Sequence, residues 1–374
     1  MKYYLIAGEA SGDLHGANLM KALKEKDSEA YFRFFGGDKM VAEGGTVVKH
    51  IADLAFMGFI EIVTNINTIL KNLKFCKEDI AAWQPDVLVL IDFPGFNLKI
   101  AEFAKKNNIL VCYYISPKVW AWNQKRVIKI KKIVDHLFCI LPFEVDFYRQ
   151  WGMAVDYVGN PLLDAIADFK PDKDFIEHNN LSPKNIIALL PGSRKQEISR
   201  LLPAMLSVTD KFPDYQFIVA GAPNFDREYY RQFLGDKNIP VLFNVTYDLL
   251  NNAKAALVAS GTATLETALF NVPQVVVYMR HPVSITIARI VIRTKFISLV
   301  NLIMDSMVVK ELIQQDCSPQ NIYAELDLII NNAGYRQKML ENYDKLDEKM
   351  GKPGASEKTA DLIIKYVAKQ KSTF

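Results

Sequence analysis

Four short segments of this 374-residue chain carry residues whose types and spacing suit chemistry on a phosphorylated, hydroxyl-rich ligand. An apolar run, Ala255 to Ala259, leads into Ser260-Gly261-Thr262-Ala263-Thr264-Leu265-Glu266, a helix opening of small and hydroxyl residues. The free N–H groups and positive dipole end of such a helix hold a diphosphate, and Glu266 on the first turn can accept hydrogen bonds from ribose hydroxyls. A helix merely well capped by Ser and Thr reads the same way. After another apolar run, Pro191-Gly192-Ser193-Arg194 sets a guanidinium where charge builds on a departing nucleotide diphosphate. Alone, such an Arg is more often a solvated surface charge; paired with the Ser260 segment in one sheet, it favours an anion site.

The other two segments lie in the first half. Gly8-Glu9-Ala10-Ser11-Gly12-Asp13 follows the first apolar run, so Gly8 and Gly12 would let a ligand approach closely while Glu9 and Ser11 make polar contacts. A tight strand-to-helix turn capped by Asp13 is the competing reading. Val87 to Ile91 ends in Asp92, followed by Phe93-Pro94-Gly95-Phe96-Asn97. A carboxylate there, among aromatic residues, can have a raised pKa and serve as general base, although a turn cap is an equal alternative. His15 is a second candidate base, but a lone His near a helix start is usually structural.

Other chemistries lack their signatures. There is no G-x-G-x-x-G and no Gly-Lys-Ser/Thr phosphate loop, so hydride transfer and ATP chemistry are disfavoured. Asp172-Lys173-Asp174 is an Asp-x-Asp of the kind that holds a metal-bound nucleotide sugar, but it falls in a polar, Pro-bearing stretch and reads as a solvated loop. His50, His136, His178 and His281 are scattered, so no metal ligand set is expected. Cys76, Cys112, Cys139 and Cys317 form no C-x-x-C pair, which suits buried thiols in a reducing compartment.

These segments need elements that present them together. Short Val-, Ile- and Tyr-rich runs alternate with amphipathic stretches, the pattern of parallel sheets flanked by helices. Strands are predicted at Tyr3 to Ala7, Val87 to Ile91, Leu110 to Ile115 and Leu137 to Leu141. A second set follows at Ile186 to Leu190, Gln216 to Ala220, Ala255 to Ala259 and Gln274 to Val277. The expected fold is α/β, with two Rossmann-like domains whose parallel sheets face a central cleft and a helical segment at the C-terminus. The first domain would span residues 1–163, a linker 164–184, the second domain 185–350, and a last helix within 351–374 would pack back on the first domain. Ligands in such sheets bind beyond the carboxyl ends of strands, where all four segments lie.

The net charge of +3 says little, yet Phe103 to Val134 holds eight Lys or Arg and no acid, so it should face something anionic. Trp120 and Trp122 lie within it, but no nucleic-acid motif accompanies them, and lipid headgroups fit equally. Phe59, Ile62, Val63, Ile66, Ile69, Leu70 and Leu73 fall at helical spacing and could form an interfacial membrane helix. A core helix has the same spacing; the basic stretch nearby, and a second from Arg280 to Lys295, favour the membrane. No signal peptide or transmembrane run is read, which predicts a protein in the cytosol or attached to a membrane from the side.

Taken together, these residues resemble lipid-A-disaccharide synthases. The resemblance runs through Ala7 to Asp13, Ile91-Asp92 to Phe96-Asn97, Ser116-Pro117 with Val119 to Trp122, Leu189 to Arg194, Ala259 to Ala263 with Leu265-Glu266, and Asn301-Leu302. Each is weak alone; six in this order are specific. The resemblance implies a GT-B fold, acceptor in the first domain and UDP in the second, and inverting transfer without metal or other cofactor. The implied donor is UDP-2,3-diacylglucosamine, the acceptor 2,3-diacylglucosamine 1-phosphate, and the link β-1,6. It places roles on Glu9, Ser11, Asp92, Arg194, Glu266 and Asn301, and implies a peripheral protein on the cytoplasmic face of the inner membrane of Gram-negative bacteria. A homodimer is left open, and nucleic acid is not an expected partner. One departure stands out: Gly159-Asn160 occupies a position where many relatives carry Gly-His. A UDP-N-acetylglucosamine 2-epimerase-like enzyme and a non-catalytic membrane-bound nucleotide-sugar sensor are the rival readings.

Overall fold

The computed structural model describes residues 1–53, 66–279 and 294–372. It divides into two compact units, one of residues Met1–Ala167 with Lys352–Phe374 and one of Asp168–Gly351.

The first unit is built on a seven-stranded sheet: β1 (Lys2–Ala7), β2 (Tyr31–Gly36), β3 (Thr46–His50), β4 (Val87–Ile91), β5 (Leu110–Tyr114), β6 (His136–Cys139) and β7 (Asp156–Tyr157). All pairings are parallel, in the order β3-β2-β1-β4-β5-β6-β7. Both faces are covered, so the central strands are continuous apolar runs. In β1, Tyr4 and Ile6 enter the core on one face, while Tyr3, Leu5 and Ala7 enter the core on the other. The two tyrosines are buried because their hydroxyls have partners: Tyr3 donates to Asp27 at 2.9 Å and Tyr4 to Asp79 at 2.8 Å.

The last helix, Ala355–Lys371, closes the second of these faces by burying Ala360, Ile363 and Val367. Each fully buried Ile or Val side chain there contributes about 1.5–3 kcal/mol. Asp164 holds the helix start by accepting from the N–H groups of Gly354 (2.6 Å) and Ala355 (3.2 Å), and Tyr366 stacks on His136.

The second unit carries a six-stranded parallel sheet: β8 (Asn185–Leu190), β9 (Tyr215–Gly221), β10 (Val241–Phe243), β11 (Ala253–Ala259), β12 (Gln274–Tyr278) and β13 (Lys310–Ile313), in the order β10-β9-β8-β11-β12-β13. The segment expected to be a linker, 164–184, is structured and divided between the units. Its first residues belong to the helix Pro161–Ala167, and Phe175 is buried in the core of the second unit with Ile186 and Leu249. Polarity and two prolines mimicked a linker, while one aromatic anchored the stretch to a sheet.

The interfacial-helix expectation is partly corrected. Phe59, Ile62 and Val63 lie outside the described residues, as does the side chain of Ile66. Helix Ile66–Trp83 buries Leu73, Cys76 and Ile80 in the first unit's core, Ile69 packs against that core, and Leu70 is 52% exposed. Among the described residues no helix is long and apolar enough to cross a membrane.

Candidate active site

In each sheet the strand order reverses once, between β1 and β4 and between β8 and β11. Open α/β sheets bind ligands at that crevice, and the four segments emerge from these four strands.

In the first unit, Asp92 stands at the carboxyl end of β4 with φ +45°, followed by Phe93 at +48°; on the adjacent strand Ile115 follows β5 at +64°. Left-handed backbone costs an ordinary L-residue about 1–2 kcal/mol, and Ile and Phe are poorly suited to it, so the surrounding contacts must impose it. They do. The Asp92 N–H donates to the Tyr114 carbonyl at 3.2 Å, and the Asp92 carbonyl accepts from Asn97 Nδ2 at 2.8 Å and the Tyr113 hydroxyl at 2.5 Å. The Phe93 ring lies where a Gly8 side chain would be, for a Cβ there would come within 2.3 Å of it. Burial raises the Asp92 pKa above the ordinary 3.8; Lys118 opposes that rise and the Glu9 carboxylate adds to it.

Several sequence expectations change here. Gly8 and Gly12 do not leave room for a ligand: Phe93 takes the space at Gly8, and Gly12 packs against Ala7. Asn97 is fully buried and bonds to the carbonyls of Ile6, Ile91 and Asp92, so it shapes the turn rather than contacting an acceptor. Asp13 is not a cap for its own turn; it accepts from the N–H groups of Gly37, Lys39 and Met40, tying its helix to the one at Asp38–Ala42. Burial pushes the His15 imidazole down to about 4, which leaves it neutral at physiological pH. Glu9 and Ser11 are exposed at the start of helix Ala10–Lys26, and the Glu9 side chain makes no cap hydrogen bond. Asn160 is buried, donates to the Ile140 carbonyl at 3.0 Å and accepts from the Leu162 N–H at 3.0 Å, a structural use of its amide.

In the second unit, β8 and β11 lie side by side with Leu190 opposite Val258, so the helices Lys195–Leu206 and Thr262–Leu269 begin at the same sheet edge. Pro191 is buried, and Gly192 turns left-handed at φ +99°, where a Cβ would strike the Glu197 carboxylate at 2.5 Å. Ser193 and Arg194 follow, exposed; the Arg194 side chain is 73% exposed and 3.6 Å from Glu197. Gly261 and Thr262 are exposed too, and Ala263 is half-buried. The Ser260 hydroxyl donates to the Ile297 carbonyl at 2.8 Å, so only its lone pairs remain for a ligand. Burial raises the Glu266 pKa, and Tyr247 donates to its carboxylate at 3.2 Å above a cluster of Phe169 and Phe270.

Asn301 is not a donor contact. It is fully buried, its Nδ2 donates to the Val309 carbonyl (2.8 Å) and Glu311 (2.9 Å), and its Oδ1 accepts from the N–H groups of Val308 (2.8 Å) and Val309 (3.0 Å). An amide so occupied has no hydrogen-bonding position left. Glu311, which sequence reasoning missed, gathers Asn301, Ser298 and the Ile297 N–H onto one carboxylate and braces this segment beside Ser260. Glu144 was missed as well: it is fully buried and receives Ser116, Trp120 and the Leu141 N–H. A carboxylate two or three positions from a hydrophobic run looks like a surface residue in sequence.

Asp172, Asp174 and His178 gather their ligand atoms within 4.8 Å, but the local structure accounts for this. Asp172 accepts from the Asp174 N–H at 3.0 Å and pairs with His178 at 2.8 Å, an exposed turn cap. A cavity of about 580 Å³ lined by Ile80, Asp86, Asn108 and Lys371 opens at the amino ends of β4 and β5, away from the chemistry-bearing strand ends.

Two doubly wound parallel-sheet units with polar residues at their switch points are the components of a GT-B-like fold. The fold matches a putative UDP-N-acetylglucosamine 2-epimerase from Listeria monocytogenes (TM-score 0.66, 14% identity, 97% of this chain and 94% of that one) and the glycotransferase of kitacinnamycin (0.67, 12%, 98% and 99%). At such identities the likeness is one of fold alone. The sequence is more specific: the family model described as lipid-A-disaccharide synthetase matches residues 3–364. A lipid-A-disaccharide synthase of Syntrophus aciditrophicus (strain SB) is 38% identical over 373 residues, 98% of this chain and 97% of that relative. The chain belongs to the lipid-A-disaccharide synthase family, and so is a glycosyltransferase rather than an epimerase or a sensor.

Proposed function

We propose that the chain transfers 2,3-diacylglucosamine from UDP to the 6-hydroxyl of 2,3-diacylglucosamine 1-phosphate, forming the β-1,6 link with inversion. Asp92 removes the hydroxyl proton, the oxygen attacks the anomeric carbon, and UDP departs. The observation that carries this reading is Asp92 itself, a carboxylate held at a switch point by a strained turn, with a pKa raised by burial. UDP binds across the starts of helices Lys195–Leu206 and Thr262–Leu269, with Arg194 neutralising the leaving charge and Glu266 meeting the ribose. In this scheme helix ends and a guanidinium stand where other transferases use a metal.

The membrane surface is the second part of the proposal. Trp122, 45% exposed with Arg126 over its ring at 4.6 Å, and Ile128, 53% exposed, lie in the basic stretch of the first unit. That stretch is less charged than its composition implies, because Lys105 pairs with Asp135 and both Lys106 and Lys129 with Glu102. Lys125, Arg126, Lys131 and Lys132 remain for anionic headgroups of the inner membrane's cytoplasmic leaflet.

The test is to incubate the protein with both lipid substrates and weigh the product, with and without a chelator. A disaccharide formed equally in both supports the proposal. No disaccharide overturns the reaction, and loss of turnover with the chelator overturns the metal-free scheme.

A further inference from the structure

The loop after β5 is clamped around one exposed cation. Ser116 Oγ and Trp120 Nε1 both donate to Oε1 of Glu144, at 2.5 and 3.1 Å, and the Tyr148 hydroxyl donates to the Pro117 carbonyl at 3.4 Å. Lys118 stands midway between the two clamped residues and is exposed, and no carboxylate among the described residues lies within ion-pair distance of it. A fully buried carboxylate is costly; burial raises the Glu144 pKa, with Ser116, the Leu141 N–H and Trp120 opposing the rise. What that arrangement secures is the path of the loop beside the end of β4, where Ile91 pairs with Tyr114 and the Asp92 N–H bonds to the Tyr114 carbonyl. Of the charges that act on Asp92, Lys118 is the cation and Glu9 the anion.

Asp92 and Glu9 would together repel a phosphorylated acceptor. In a glucosamine 1-phosphate the phosphate on C1 and the C5–C6 arm flank the ring oxygen, so an acceptor with its 6-hydroxyl at Asp92 carries its phosphate to a neighbouring strand end. We propose that Lys118 binds the acceptor's phosphate, and that Glu144 positions it by holding the loop. This rests on the reading of Asp92 as the base acting on a phosphorylated acceptor.

The test uses the full-length protein in detergent micelles, at a pH above the acid limb of its activity, with the acceptor 1-phosphate and with the same acyl sugar lacking phosphate. K118A should raise KM for the phosphorylated acceptor roughly 10- to 100-fold, a charge-assisted contact's worth, with kcat and the donor KM changed by less than about twofold. K118R should recover most of it. With the unphosphorylated acceptor, wild type and K118A should perform alike to within about twofold. Equal losses on both acceptors, or an unchanged KM on the first, overturn the assignment while leaving the reaction intact. If wild type forms no disaccharide at all, the underlying reading falls and the assignment with it.

Discussion

The two switch points are built on opposite plans. At the first, hydrogen bonds gather on the backbone of one acidic residue: Asn97, Tyr113 and the Tyr114 carbonyl hold Asp92 in a left-handed turn, Phe93 is seated against Gly8, and burial raises the acid's pKa. At the second, the strand ends open onto exposed Ser193, Arg194, Gly261 and Thr262, with bracing kept behind them in the Asn301–Glu311 network. A group that moves a proton must be held near one atom with a tuned pKa, whereas a diphosphate is bound by several N–H groups and a flexible cation. The lesson is that the backbone is held most tightly at the residue proposed to move the proton.

The comparison breaks most directly at Asp92. Asn keeps the shape and suits left-handed backbone, so D92N should lower kcat roughly 100- to 10,000-fold with UDP affinity unchanged by calorimetry. A variant of full rate would mean that the crowded site holds something other than the base. R194A should act on the open site instead, lowering kcat/KM on the order of 100-fold and weakening UDP binding. R194K should restore part of this, because a flexible charge tolerates a change of shape better than a positioned base.

N301A sharpens the division between contact and brace. Removing a fully buried amide with four partners should cost about 2–4 kcal/mol of stability, read as a lowered urea midpoint. Were Asn301 a ligand contact, UDP affinity would fall with stability nearly unchanged, and the same two measurements separate the cases.

That case also marks where sequence reading stops. Inner strands were legible because two covered faces demand unbroken apolar runs: Val87–Ile91 stands as expected and seven others lie within about two residues of their expected ends. β3, β7, β10 and β13 were missed because edge or short strands are half-wet and read as loops, and β2 because Arg33 interrupts it. Arg33 is tolerated there through Asp79, whose carboxylate lies 2.7 Å from its Nε. Motif positions were legible and side-chain directions were not. Glu9, Asp92 and Arg194 do lie just past strand ends, but Glu266 falls beyond the first turn of its helix, on which it was expected, and Asn97 and Asn301 in the same motifs turn inward; spacing does not tell a ligand's amide from a backbone's. Glu144 and Glu311 were invisible because most of their partners lie 10 to 28 residues away and become neighbours only when the chain folds.

The smallest effect tests how finely the first site is tuned. Because burial and Glu9 raise the Asp92 pKa, activity should fall as pH drops through a value above the ordinary 3.8. E9Q removes the like charge, so the acid limb of kcat/KM should move to lower pH; a limb that stays put would mean Glu9 does not sense Asp92. Stability carries the opposite sign. A carboxyl whose folded pKa lies above its unfolded one favours the folded state below the unfolded pKa, and that contribution is lost as pH rises through the folded value. D92N should therefore melt higher than wild type at neutral pH, with the gap closing below about pH 4 as the native acid becomes protonated. Glu266, also raised by burial, predicts the same sign for E266Q, so equal gains at both sites would show that the open unit too holds a carboxylate against its preference.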